Sequence, residues 1–295
     1  MKYKQILPLV LLALIWGSYY VASQKSVEYM SVFSAGVLIR LLTLVLLVVI
    51  MAARKQLNLL LQVKGILRRL LLVGIFGFLI DLTAFIGLTL SPAGSGTALL
   101  KCDILFVSLI SVFIYKERFS KMLSGVFMIM GIDPLHLRFQ EMGDIFFILS
   151  ALFVSINAFI IKSIQLNAQK RVEDNVIAFY NNFVTLVLFT GASIVMGTFD
   201  QILHPADFNC LVPVILAGIG QTLIYLVYYY NLRRYPVWIV KVFLLLMPIV
   251  SAIISFVLFG DRLNLNQCLG IGIVLVGAFG ILIEQRKKEN QFGYK

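Results

Sequence analysis

Five ionisable residues stand in stretches of this sequence that are otherwise apolar. Arg40 lies within 31–53, Asp81 near the middle of 68–90, Lys101 and Asp103 within 95–115, and Lys241 within 237–259. If these stretches cross a bilayer, each central charge costs about 2.5–3.5 kcal/mol on insertion scales, so such residues face a cavity or a partner. Lys101 and Asp103 are two residues apart, about 200° around a helix, and therefore need different partners. An economical arrangement pairs Asp81 or Asp103 with Lys101 or Arg40 across neighbouring helices. Two readings stay open. In one, the charges are structural pairs that lock helices two to four. In the other, some of them line a substrate or proton pathway. An apolar cavity disfavours a bare carboxylate, so Asp81 or Asp103 could then bind and release a proton. Lys101 and Lys241 could neutralise an anionic group on a substrate. Lys241 lies only about five residues inside its stretch and could instead snorkel to the interface.

Uncharged polar groups extend the set. Trp16, Ser18, Asn157, Gln221 and Tyr225 all occur in apolar stretches. For each of them, packing and contact with a substrate are equal readings. Pro92, Pro236 and Pro248 each remove a backbone donor. They are candidate hinges, or equally static bends. Other chemistry lacks its residues. The three cysteines and two histidines show no ligand spacing. No HExxH, Walker A or GxSxG motif occurs, and neither Asp81 nor Asp103 stands in a GxGD sequence. No metal, cofactor or catalytic centre is expected.

The elements that hold these residues follow from composition. Of 295 residues, 60% are hydrophobic and 13% charged, against about 45–50% and about 25% in soluble proteins. So few charges could not coat a soluble enzyme of this length. The chain reads as an all-α polytopic membrane protein. Ten apolar stretches can be read, at 6–22, 31–53, 68–90, 95–115, 120–132, 144–163, 176–198, 210–232, 237–259 and 266–284. The first could pass for a signal peptide, but no small-x-small cleavage site follows it. With the N-terminus inside, 19 basic residues fall in inner segments and three in outer loops. Both termini are therefore expected in the cytoplasm, in a bacterial inner membrane. The net charge of +11 then sets orientation and does not bind nucleic acid.

The chain also repeats itself. Pro92 matches Pro236 and Glu117-Arg118 matches Asp261-Arg262 at an offset of 144, and Thr43-Leu44-Val45-Leu46 matches Thr185-Leu186-Val187-Leu188 at 142. In this register Arg40 falls opposite Asn182 and Asp81 opposite Tyr225. The copies are read as 1–138 and 139–295, together forming one membrane domain. Five spans per copy would insert the second copy upside down, and inverted repeats are the sequence mark of secondary transporters.

With these features the sequence resembles the drug/metabolite transporter superfamily, EamA type. The resemblance rests on Trp16-Gly17-Ser18, Arg40, the acid-Arg pairs at 117–118 and 261–262 with glycine-bearing spans after them, and Pro248. It covers the whole chain. One departure is that Ile104 stands opposite Pro248, with Lys101 and Asp103 nearby. The resemblance implies a ten-helix secondary transporter, capable of acting as a monomer or weak homodimer. It would export a small metabolite, amino acid or drug-like compound by alternating access, with H+ as a candidate coupling ion. It also implies that helices one and six line the cavity and that Arg40 holds helix two. The alternative is a non-transporting sensor or assembly protein of the same fold.

Overall fold

The computed structural model describes residues 3–91, 93–104, 106–107, 109–110, 142–167, 172–204, 209 and 211–260. Among these residues the chain is helical and carries no strand. The long helices are α1 (Tyr3–Tyr29), α2 (Val32–Ala53), α3 (Leu67–Leu90), α5 (Met142–Gln165), α6 (Asp174–Val195) and α7 (Leu211–Arg234). Two spans are broken. α4 (Ala93–Leu99) runs into a 3-10 turn at Leu100–Cys102, and α8 (Val237–Phe243) passes through a 3-10 turn at Leu244–Leu246 into α9 (Met247–Phe259). Seven segments are long and apolar enough to cross a membrane, with Val237–Leu258 counted as one. In hydrocarbon every backbone N–H and C=O must be satisfied within the protein, and a helix does this within one segment. The expected spans 120–132 and 266–284, both acid-Arg pairs and Pro92 lie outside the described residues.

Local chemistry sets several boundaries. Ser31 caps α2, its hydroxyl accepting from Ser34 N at 3.1 Å. α9 ends on Gly260 at φ 72°, where its N–H donates to Phe256 O at 3.0 Å. α1 continues to Tyr29, well past the expected end at residue 22. The extra turns are polar, and Lys25 pairs with Glu28 across one of them at 2.7 Å. An apolarity criterion stops at such a turn, whereas helix geometry does not. Pro248 lies in the first turn of α9, and the interruption precedes it. The corresponding turn after α4 forms with Ile104 in place of that proline, so proline is not required for the break.

The repeat is visible in the helix ends. α2 and α6, both 22 residues, begin and end 142 positions apart. α3 and α7, both 24 residues, do so at 144. α4 and α8, and the 3-10 turns after them, also correspond at 144. Packing is exchanged between the copies, since α3 lies along α5 and α7 lies along α1. α2 crosses α6, its own counterpart. Contacts of single residues are reciprocal too. Thr185 donates to Gly74 O at 3.1 Å, and the matching Thr43 hydroxyl lies 3.2 Å from Gly218 O. Gly74 faces Val184, and its counterpart Gly218 faces Leu42, the residue matching Val184. The glycines let α3 and α6, and likewise α7 and α2, approach without a Cβ between them.

Candidate functional site

Helices α1, α2 and α3 and their counterparts α5, α6 and α7 surround a central cavity of about 50 Å³. α1 contributes Trp16, Tyr19 and Tyr20, and α2 contributes Arg40. Gly77 and Asp81 come from α3, Asn157 from α5 and Asn181 from α6. α7 supplies Gln221, Tyr225 and the adjacent Tyr228 and Tyr229, which recur three to four residues apart along its inner face.

Arg40 organises one wall. Its NH2 donates to Asp81 Oδ2, forming an ion pair with both side chains buried. Its NH1 donates to Tyr225 OH at 2.5 Å and to Asn182 Oδ1 at 3.3 Å. Asn182 returns a bond to Arg40 O at 2.9 Å. One guanidinium thus ties α2 to α3, α6 and α7. Arg40 and Asn182 hold equivalent places in the two copies, so the copies meet here residue against counterpart. Asn181 donates to Tyr229 OH at 2.7 Å beside this network.

A second buried charge cluster lies outside the cavity lining. Lys241 Nζ donates to Asp103 Oδ2 at 2.7 Å, with both side chains almost fully enclosed. Lys241 is 0% exposed and does not snorkel. The ammonium also lies 5.8 Å from the centroid of the Tyr228 ring, which borders the cavity. Lys101, 2% exposed, reaches Met247 Sδ at 3.8 Å. Lys101 and Asp103 thus contact different partners, as their angular separation requires. Thr97 and Ser251 share a hydrogen bond of 2.7 Å between α4 and α9 nearby.

Several lining atoms make no hydrogen bond among the described residues. They are Asn157 Oδ1, Asn181 Oδ1 and Arg40 Nε, while the Tyr19 hydroxyl lies by Ser23 and the Tyr228 hydroxyl by Lys241. A buried polar atom without a partner costs about 1–3 kcal/mol, so these atoms are positions at which a water or a solute would be favoured.

The structure brings Trp16, Arg40, Asp81, Asn157, Gln221 and Tyr225 to this one cavity. Lys101, Asp103 and Lys241 gather beside it. Ser18 lies elsewhere. Its hydroxyl donates to Leu14 O at 2.8 Å, and it lines an apolar groove of about 840 Å³ between α1, α7 and α9. Pro236 caps the start of α8, and Pro248 opens α9. Sequence reasoning missed Tyr19, Tyr20 and Tyr229, all of which the structure buries at the cavity, Tyr229 at 1% exposure. A usable signal was present, because Tyr225 and Tyr229 are four apart and share a helix face with Gln221.

The EamA-like transporter family profile matches residues 4–132 and again 141–283, once for each copy. A crystal structure of a protein superposes with a TM-score of 0.69 at 16% sequence identity, covering 98% of this chain and all of the other, and this likeness shows the fold alone. No curated protein matched the sequence significantly. Two family repeats in tandem, apolar helices long enough to span a bilayer and a cavity enclosed by matching helices of both repeats agree, and the chain, an integral membrane protein, belongs to the EamA-like transporter family.

Proposed function

We propose that this protein is a secondary transporter that exports a small organic compound by alternating access around the Arg40–Asp81 cavity. The observation that carries this reading is the reciprocity of the two copies at the cavity. Contacts that exchange between halves are the property of a two-fold relation, and Arg40 against Asn182 marks where its axis passes. Five spans per copy would invert the second copy and lay that axis in the membrane plane. Two similar halves then offer two mirror arrangements, one open to each side. The broken spans at α4 and α8–α9 are next to the cavity and supply the points at which one half rocks against the other. The basic loops favour cytoplasmic termini.

Proton coupling fits the same frame. Both candidate carboxylates are held by cations in this conformation, Asp81 by Arg40 and Asp103 by Lys241. Separation of the halves would break one pair and free its carboxylate to take a proton. A cysteine at Gln221 or Asn157, tested in everted and right-side-out vesicles with a membrane-impermeant thiol reagent, examines alternating access without knowledge of the cargo. Labelling from both sides supports the carrier, and labelling from one side only supports a sensor. In vesicles enclosing a pH dye and offered amino acids, nucleosides and cationic drugs, solute-dependent proton flux is expected to vanish in Asp81→Asn or Asp103→Asn. If both variants behave as wild type, the carboxylates are structural and coupling fails.

A further inference from the structure

The linker between α2 and α3, with the first turn of α3, carries Arg54, Lys55, Lys64, Arg68 and Arg69, all exposed, and no acid. We propose that this segment is a docking site for anionic phospholipid, in which the cations hold lipid phosphates while Leu57 and Leu61 enter the edge of the hydrocarbon. The proposal needs the chain to sit in a membrane and does not depend on transport.

Geometry puts the linker at the membrane surface. α2 has 22 residues, about 33 Å at about 1.5 Å per residue, so it ends where a hydrocarbon layer of about 30 Å ends. The chain does not then run out into water. Gln56 Oε1 accepts from Asn175 Nδ2 at 2.6 Å, and Leu60 O accepts from the Tyr180 hydroxyl at 2.8 Å. These bonds hold a short 3-10 helix, Leu57–Leu61, against the first two turns of α6. Val63 and Ile66 fix the far end of the linker by burial. Leu57 and Leu61 are left facing outward, Leu61 at 90% exposure. A single exposed leucine is ordinary. Leucines held out between cations are the pattern of a segment that lies in the interface. The acids at the start of α6 are engaged elsewhere, since Asp174 is bound by Arg233 at 3.0 Å and Glu173 also acts on Arg233.

The second copy separates what the turn needs from what this linker adds. Lys55 leaves α2 at φ 55°, and the residue 142 positions on, at the end of α6, is Gly197 at φ 67°. The same two bonds close both turns. In the first, Gln56 N donates to Met51 O at 2.8 Å and Lys55 N to Ala52 O at 3.0 Å. In the second, Thr198 N donates to Ser193 O at 2.9 Å and Gly197 N to Ile194 O at 3.1 Å. The left-handed region favours glycine, so lysine is the poorer residue for the fold, and what it adds is a charge. The linker after α6 also carries a short helix, Asp200–Leu203, with Leu203 exposed. It lies at the opposite end of the bundle, against the start of α2, where Ser34 Oγ donates to Thr198 O at 2.8 Å. It contains Asp200 and Asp207 and no lysine or arginine. The fold builds this linker twice, and cations accompany only one. Orientation during insertion calls for cations near a span, but not for one on a glycine turn or for leucines held out beside it. Anionic headgroups attract basic segments at the membrane surface, and leucines in the interface add apolar contact.

The test uses the full-length protein in neutral micelles, titrated with phosphatidylglycerol or phosphatidylcholine, with bound lipid counted by native mass spectrometry. Phosphatidylglycerol is expected to bind about tenfold more tightly or better. Lys55→Gly relieves the left-handed turn and removes one cation. Its affinity for phosphatidylglycerol should fall about fivefold, while its melting temperature holds or rises. Leu61→Gln keeps every cation and should also weaken the lipid. Replacing Arg286, Lys287 and Lys288 together by Gln removes cations elsewhere and should leave the affinity unchanged. Equal affinity for the two lipids would overturn the proposal. So would native-like lipid binding by Lys55→Gly, or a larger loss from the 286–288 variant. Glycerol 3-phosphate binding as tightly as the lipid, unmoved by Leu61→Gln, would identify a soluble anion as the ligand and overturn the lipid reading. The comparison of lipids needs no variant, so the proposal stays testable if one folds poorly.

Discussion

Replacement of Asp81 by Asn tests whether the Arg40 network is the point at which the halves are locked. Arg40 is 2% exposed and Asp81 6%. In the variant the guanidinium keeps neutral acceptors at positions 81, 182 and 225 but loses its counter-charge. At an effective dielectric of about 20, a pair of unit charges at 4 Å is worth about 4 kcal/mol. Breaking a buried pair from one side costs about 3–5 kcal/mol because a bare charge remains. The two figures agree, so Asp81→Asn should lower stability by about 3–5 kcal/mol. Arg40→Gln should cost a similar amount by exposing the carboxylate. The double variant holds no charge and keeps Tyr225 and Asn182 within reach of amide groups. It should therefore recover a coupling energy of about 2–3 kcal/mol relative to the sum of the singles. Reversible unfolding in mixed micelles, run as a four-protein cycle, measures this. Additivity within about 0.5 kcal/mol, or an Asp81→Asn protein as stable as wild type, would refute the reasoning that the pair holds α2 against α3.

Three further outcomes follow from the same geometry. Lys241→Met should destabilise strongly, since it strands Asp103 in an enclosed site, and Lys241→Met with Asp103→Asn should be closer to wild type by melting temperature. Lys101→Met should be neutral or stabilising, because no carboxylate lies within ion-pair distance of Lys101 among the described residues and its ammonium already lies against the Met247 thioether; a loss above about 2 kcal/mol would show that the charge has a partner. Gly74→Ala would press a Cβ into the branched carbon of Val184 and cost about 1–3 kcal/mol, whereas Gly191→Ala, with nothing within 4 Å, should be neutral in the same melting assay.

The parts of this fold that were legible in the sequence are those governed by one-dimensional patterns. Apolar run lengths located the membrane-crossing helices, and the offsets of 142 and 144, read from a few short identities, recur as helix boundaries. Asp81 and Arg40 were recognisable because charge is costly in an apolar segment wherever the segment packs. Pairing was not legible. Asp103 finds Lys241, 138 residues away, because α4 and α8 are brought together by the exchange of halves. Depth along the sequence suggested snorkelling for Lys241, but depth says nothing about which face of the helix it occupies. Ser18 illustrates the same limit. It belongs to the same Trp-Gly-Ser run as Trp16, yet two residues turn it through about 200°, and it faces the lateral groove while Trp16 faces the cavity.

The two copies match in backbone and differ in charge. Arg40 corresponds to Asn182 and Asp81 to Tyr225, while Lys101, Asp103 and Lys241 correspond to Leu245, Met247 and Thr97. Among the described residues, each buried charge has an uncharged counterpart. A symmetrical pair of halves would have two mirror conformations of equal energy. Charge without a charged counterpart removes that equality, because the conformation that keeps Arg40 on Asp81 and Lys241 on Asp103 retains two ion pairs that the exchanged arrangement cannot form from Asn182, Tyr225, Met247 and Thr97. In the alternating-access reading proposed above, the balance between the two arrangements is therefore biased by the sequence.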